Sequence, residues 1–252
     1  MTTTTKNYDT GLVALADTRV LDARNAFGER RVLHYFVESG EVEGPEGYLV
    51  EMPAGNVVNT HFHRVDQFQV FFGAPGATYR RTELGPDTAL VHYVDAFTTY
   101  GPFRTAHEDM QFYTLRGRTA PFTAYMPEGR AELRPSRRRH HEHVVRLDGP
   151  LPEPGQSDTV VLADGTDGPY IAVVSGGPNA VMPIGLRGAS EGQYVVLLRG
   201  AVSDGGREVD VHAAAWMGPG GRSLELVAGS HGCRVAVLAL PEVIDRGEVA
   251  MR

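Results

Sequence analysis

Apolar residues along this chain recur in short runs, not at helical spacing. "RVLHYFVES", "EGYLVEMP", "QFQVFFG", "ALVHYVDAFTTY", "MQFYTLRG", "DTVVLADG", "PYIAVVSGG", "GQYVVLLRGAV", "VDVHAAAW", "SLELVAG" and "RVAVLAL" are short β-rich segments bounded by turn residues. Strands spaced about 8–12 residues apart with Gly/Pro turns predict an antiparallel sandwich or barrel. Only "VALADTRVLDARNAFGERR", near the start, reads as a short helix.

The pattern also repeats. "GYLVEMPAG" aligns with "PYIAVVSGG" at an offset of 122 residues, and "QFQVFFG" aligns with "QYVVLLRG". "LVHYV" matches "DVHAA", and "HEDMQFYTL" matches "HGCRVAVLAL", in the same order. A duplicated β domain is expected, with one unit over 1–137, a connection over 138–156 and a second unit over 157–252.

Composition narrows the classes. The chain has 252 residues, enough for one large or two small domains. Gly 30 and Pro 16, with 42% hydrophobic residues, suit many strands and tight turns better than disorder. A net charge of -7 gives no footprint for nucleic acid. The basic run "RPSRRRHHEHVVR" reads as a solvated connection. Neither a secretory leader nor an apolar stretch of membrane-spanning length is evident, so a cytoplasmic protein with no membrane partner is expected. The single cysteine, Cys233, lies in an apolar run and reads as a buried thiol.

The candidate chemistry lies in "NTHFHRVDQFQVFFG" (Asn59 to Gly73). His61 and His63 stand two apart, which on a strand puts both on one face. Gln67, opening the next strand, can face back toward the pair. A third imidazole from a neighbouring strand would complete a three-nitrogen face suited to divalent iron, nickel, manganese or zinc.

The run from Gly55 through "NVVNT" to His61-Phe62-His63 and Gln67 resembles the first conserved motif of the cupin superfamily. That motif is a Gly, five residues, His-x-His, three or four residues, Glu, six residues and Gly. Here Gln67 replaces the Glu, and Gly73 comes one residue early. "PFRTAHEDMQ" meets the second cupin motif in part: Pro102 and His107 fit, Arg104 stands where Gly is usual, and Gln111 replaces Asn. The resemblance implies an all-β chain of two tandem cupin jelly-roll barrels with few short helices. It implies metal ligands His61, His63 and His107, with Gln67 in the fourth position. His92, also on a predicted strand, is the rival third ligand. Iron(II) is the first metal expected, with nickel, manganese or zinc as alternatives. A neutral Gln67 would leave the metal its full charge and favour an anionic, chelating substrate.

In the second unit, Pro183 and Gly185 stand where the His-x-His pair would fall, so that barrel is expected to be metal-free and structural or dimerising, in a homodimer. "HHEH" (His140 to His143) could bind metal adventitiously but lies in the connection and resembles no defined site, and neither a phosphate loop nor a Gly-x-Ser-x-Gly elbow is present. Phe62, Phe68, Tyr93, Tyr100, Phe103 and Phe112 are core or pocket candidates, and Tyr100 could offer its hydroxyl to substrate or oxygen. The expected activity is that of a metal-dependent oxidoreductase, an iron(II) oxygenase of a small chelating organic substrate. Isomerases, cyclases and decarboxylases share the pattern, and from another class so does a non-catalytic sugar- or small-molecule-binding protein.

Overall fold

The computed structural model describes residues 10–38, 44–120, 122–166, 168–187 and 190–242. The first half carries β1 (Arg19–Arg24), β2 (Arg30–Glu38), β3 (Glu46–Met52), β4 (Val57–Val58), β5 (His61–Phe62), β6 (Gln67–Phe72), β7 (Thr78–Tyr79), β8 (Thr82–Glu83), β9 (Thr88–Val94), β10 (Phe103–Arg104), β11 (Met110–Arg116), β12 (Ala124–Tyr125) and β13 (His141–Arg146). The second carries β14 (Ser157–Asp164), β15 (Tyr170–Gly176), β16 (Val181–Ile184), β17 (Ser190–Asp204), β18 (Arg207–Asp210), β19 (Ala214–Met217) and β20 (Leu224–Pro241).

The repeat seen in the sequence is a repeat of sheet order. The large sheet of the first half runs β1-β2-β3-β11-β6-β9-β13. In the second half β14-β15-β20-β17 follow in the same sense, with β19 also on β17. In each half an outside segment extends the sheet: β13 pairs with β9, and Val13 bridges to Ala214 at the start of β19. Opposite the first large sheet lie the short strands β4-β10-β7-β8 and the pair β12-β5. The result is two tandem jelly-roll barrels.

Strand alternation sorts the inward side chains of the first half between two cores. Leu49, Phe68, Val70, Val91, Tyr93, Tyr113 and Leu115 pack against Tyr194, Val196, Trp216, Ala236 and Leu238 of the other half. The alternate residues Val50, Met52, Phe71, Leu90 and Phe112 face Val58, Tyr79, Tyr100 and Phe103 inside the first barrel. Gly73, which closes the His-x-His segment, admits no side chain, because a Cβ there would lie 1.9 Å from the Gly85 carbonyl oxygen.

Two expectations are corrected. The segment expected to be helical holds only a single 3-10 turn, Leu15–Asp17, followed by β1 and β2. Its apolar residues Val20, Leu21 and Leu33 serve a hairpin, in which Leu21 pairs with Leu33. The run expected to be a solvated connection supplies β13, because Val145 turns inward while its neighbours Val144 and Arg146 stay exposed. No helix among the described residues is long and apolar enough to cross a membrane. Cys233 is buried, and burial pushes its thiol up to about 11.

Two tyrosines in the shared core differ in one respect. The Tyr194 hydroxyl donates to the Arg116 carbonyl at 2.8 Å, whereas the buried Tyr113 hydroxyl has no partner among the described residues. Tyr194→Phe is therefore expected to cost about 1 kcal/mol in urea unfolding, and Tyr113→Phe to be neutral or stabilising.

Candidate functional site

β5 is held from three sides by backbone bonds. His61 exchanges both with Tyr100 (3.2 and 3.0 Å), Met126 N–H donates to Thr60, and Phe97 N–H donates to the His63 carbonyl. Asp66 then turns the chain into β6, accepting from Ala96 N–H at 2.9 Å, the Tyr93 hydroxyl at 3.0 Å and Arg138 at 2.8 Å. Gln67 and Gln69 thereby face inward, beside Thr114 and Arg116 of β11. Beside them is a cavity of about 150 Å³ bordered by His61, His63, Gln69, Tyr100 and Thr114. Three arginines also line it, Arg24, Arg31 and Arg116, and none of its lining residues is Asp or Glu.

Each polar group is oriented by a partner. His61 Nδ1 lies 2.7 Å from the Asn59 carbonyl and His63 Nδ1 3.1 Å from the Phe122 carbonyl, so each Nδ1–H donates outward. Each Nε2 therefore carries a lone pair. Arg116 Nη2 approaches His63 Nε2 at 3.2 Å, Nε donates to Gln67 Oε1 at 2.9 Å, and Nη1 pairs with Glu46 at 2.8 Å. With its oxygen facing Arg116, the Gln67 amide donates from Nε2 to the Tyr100 hydroxyl oxygen at 2.7 Å, and Gln69 adds a second donation at 3.3 Å. Tyr100 accepts twice and retains its own proton to give.

The charge states follow. Burial holds His61 down at about 4. Burial, then the Arg116 charge, holds His63 well below the usual range. Both are neutral at pH 7. Burial raises the Tyr100 hydroxyl above its ordinary value, keeping it protonated. Burial opposes the Arg116 charge, but Tyr48 and Glu46 outweigh it and keep the guanidinium ionised. Arg31 Nε and Nη2 are buried without hydrogen-bond partners among the described residues.

Of the residues expected at the site, His61, His63, Gln67 and Tyr100 come together. His107 does not: it is exposed in a bend between β10 and β11. The reason lies in Thr105, whose hydroxyl donates to the Pro53 carbonyl and whose N–H donates to Asn56, ending β10 and sending the next residues toward solvent. Tyr100 occupies the position opposite His61. His92 is fully buried but turned to a separate group, Gln69, Tyr79 and His140. Arg116 was not anticipated from the sequence. Its signal was available in "MQFYTLRG", where Phe112, Thr114 and Arg116 share one strand face.

These residues do not fit a divalent ion bound between His61 and His63. The ion would have two imidazoles, one of which already accepts from Arg116, and an amide oxygen committed to the same cation. It would face the Arg116 and Arg31 guanidinium groups, whose charges already act on His61, and no lining carboxylate. Arg116 Nη2 already lies 3.2 Å from His63 Nε2, and two like charges at such a distance beside buried groups repel by several kcal/mol. Elsewhere, His92, His140 and Glu142 place three ligand atoms within 4.8 Å of one another, a cluster able to hold a metal ion.

The matched half of the second barrel is different inside. Pro183 and Gly185 are exposed, and the core is Met182, Val195, Leu197, Val235 and Cys233. Gln193, aligned with Gln67, is satisfied by Gly185 O and Arg187 N–H.

No family model matches the chain, and no curated protein matches it. Solved structures do. A candidate dioxygenase from Nostoc punctiforme PCC 73102 superposes with a TM-score of 0.64 at 10% identity, covering 95% of this chain and 84% of that one. Oxalate decarboxylase from Bacillus subtilis superposes with a TM-score of 0.56 at 10% identity, covering 92% of this chain and 76% of that one. At this identity the likeness is one of fold, the double-barrelled cupin.

The buried neutral imidazoles set an acid limit. Between pH 6.5 and about 4 the unfolded chain takes a proton at His61 that the folded chain refuses, so stability falls as pH drops. For this one group the loss is on the order of 3 kcal/mol. Urea midpoints measured from pH 7 to 4 are expected to fall, and His61→Gln to flatten the fall.

Proposed function

We propose that the first barrel binds a small organic anion directly on arginine and moves a proton on it, with no metal between His61 and His63. The observation that carries this reading is the Arg116 guanidinium, buried at hydrogen-bonding distance from both Gln67 and His63. The unpartnered Arg31 nitrogens support it, since buried cationic donors without partners are costly unless an anion meets them. A cavity of about 150 Å³ suits a ligand near the size of benzene, such as a carboxylate of three to five carbons.

His61 is the base and Tyr100 the acid. The substrate carboxylate lies on Arg31, whose planar fork matches its two oxygens, with the Arg116 charge beside it. His61 Nε2 takes a proton from the carbon beside the carboxylate or an adjoining carbonyl. Electron density moves onto the oxygen, where the Tyr100 O–H meets it, its direction fixed by the Gln67 and Gln69 amides. His61 Nε2–H returns the proton to the same carbon as the electron pair leaves the oxygen, a reversible enolisation with no net change in atoms or charge.

The iron(II) oxygenase implied by the motif, and the Mn(II) centres described for Bacillus subtilis oxalate decarboxylase, are the competing reading. The deciding experiment uses chelator-treated protein and a set of C3–C5 2-oxo and 2-hydroxy carboxylates. Calorimetry reads binding, and NMR in D2O reads deuterium uptake at carbon. Binding and exchange without metal are expected. Arg31→Gln is expected to weaken binding at least tenfold, about 1.4 kcal/mol, without changing the melting temperature. His61→Asn is expected to spare binding and abolish exchange. Stoichiometric iron lost in His61→Ala/His63→Ala, with activity only in the iron-loaded form, overturns the proposal.

Gln67→Glu probes the same point from the other side. A carboxylate there pairs with Arg116 and removes the guanidinium from ligand binding, so affinity for the carboxylate set is expected to drop at least tenfold.

A further inference from the structure

Beside the cavity, and separate from it, four ligand-type atoms crowd one point at the sheet edge. His92 Nε2 lies 2.5 Å from His140 Nε2 and 2.9 Å from the Tyr79 hydroxyl, and His140 Nε2 lies 3.2 Å from Glu142 Oε1. They come from three elements: His92 from β9, Tyr79 from β7, and His140 and Glu142 from the β13 segment.

The tautomer of His92 is fixed from behind. Its Nδ1 faces Gln69 Oε1 at 3.1 Å, a carbonyl oxygen that only accepts, so Nδ1 carries the hydrogen and Nε2 the lone pair. A carbonyl accepting from the far ring nitrogen is the usual outer support of a metal-bound imidazole. Two ring nitrogens at 2.5 Å are closer than an ordinary hydrogen bond, and with a carboxylate and a phenol around them the point is rich in lone pairs.

We infer that His92, His140 and Glu142, with Tyr79 as a fourth donor, form a zinc site that joins the edge strand β13 to both walls of the first barrel. Two imidazoles, a carboxylate and a phenol oxygen suit zinc in tetrahedral coordination. Zinc–nitrogen bonds of about 2.0–2.1 Å require the two nitrogens to part to roughly 3.3 Å. His140 can make that adjustment, since it lies just before β13 with its side chain 24% exposed, while His92 is fixed inside. Arg80, which pairs with Glu142 at 2.9 Å, is 42% exposed and can turn to solvent at little cost. A carboxylate among its donors distinguishes it from the arginine-lined cavity. The bound ion would hold His92 on Gln69, whose amide reaches Tyr100, so the site supports the cavity wall.

The test is titration of chelator-stripped full-length protein with zinc, read by calorimetry, and with cobalt(II), read by its visible absorption. One equivalent is expected to bind with sub-micromolar affinity, and zinc to raise the melting temperature. His140→Ala is expected to weaken binding at least a hundredfold, and Glu142→Gln at least tenfold. Both side chains are partly exposed, so the variants are expected to keep the circular dichroism of the parent. Two controls place the site: His61→Ala/His63→Ala and His141→Ala/His143→Ala are each expected to leave binding unchanged. Failure of zinc to bind below the millimolar range, or binding that survives His140→Ala, overturns the inference. So does binding that disappears with either control pair, whatever the outcome for carboxylates in the cavity.

Discussion

The first barrel is organised around one buried cation. Arg116 reaches the interior at the end of β11, and a guanidinium there is tolerable only if its donors are met. Glu46 supplies the balancing charge, Gln67 an oxygen and His63 a ring nitrogen. The main chain of the same residue is tied to the second half through the Tyr194 hydroxyl. The contact between the two barrels and the polar centre of one of them therefore share a residue.

From this cation the orientation of the neighbouring groups follows by elimination. Arg116 can only donate, so Gln67 must turn its oxygen toward it and its NH₂ toward Tyr100. Tyr100 receives that hydrogen and a second from Gln69, which leaves its own proton directed away from both amides. Gln69 turns its oxygen to His92 Nδ1, and His92 presents a lone pair at the far side. A carboxylate at position 67 would break this chain of directions, because it has no hydrogen to give Tyr100. The glutamine is thus part of a network whose polarity runs from Arg116 outward, and its difference from the cupin motif has a structural meaning.

What was legible in the sequence is what depends on short range. Alternation on a strand placed His61 with His63, and the turn at Asp66 brought Gln67 back to them, as the spacing suggested. The repeat order and the all-β class were also visible, since each strand announces itself by composition. The count of 44 residues from His63 to His107 did not translate into proximity, because Thr105 ends β10 and turns the chain outward before His107 is reached. Tyr100 stands at the end of the backbone pairing with His61, a fact of register that residue spacing does not encode. Arg116 meets Glu46 across 70 residues, and His92 meets His140 across 48. Such partners are set by which strands lie side by side, and that is a property of the whole sheet.

The comparison of the two barrels shows how little the motif residue itself determines. Gln67 opens β6 and Gln193 lies near the start of the equivalent β17, and both are fully buried. In the second barrel the side chain is taken up by the Gly185 carbonyl, the Arg187 N–H and the sulfur of Met217. Its surroundings are aliphatic, so the amide ends in local backbone bonds and the interior closes on itself as core. In the first barrel the same amide lies between a guanidinium and a phenol, and its dipole transmits the charge of one to the orientation of the other. The scaffold is duplicated, but the inward-facing residues of β11, β5 and the segment before β10 are not. The site is therefore a product of what surrounds position 67: remove Arg116 and Tyr100 from their strand faces, and the first barrel has the inert glutamine of the second.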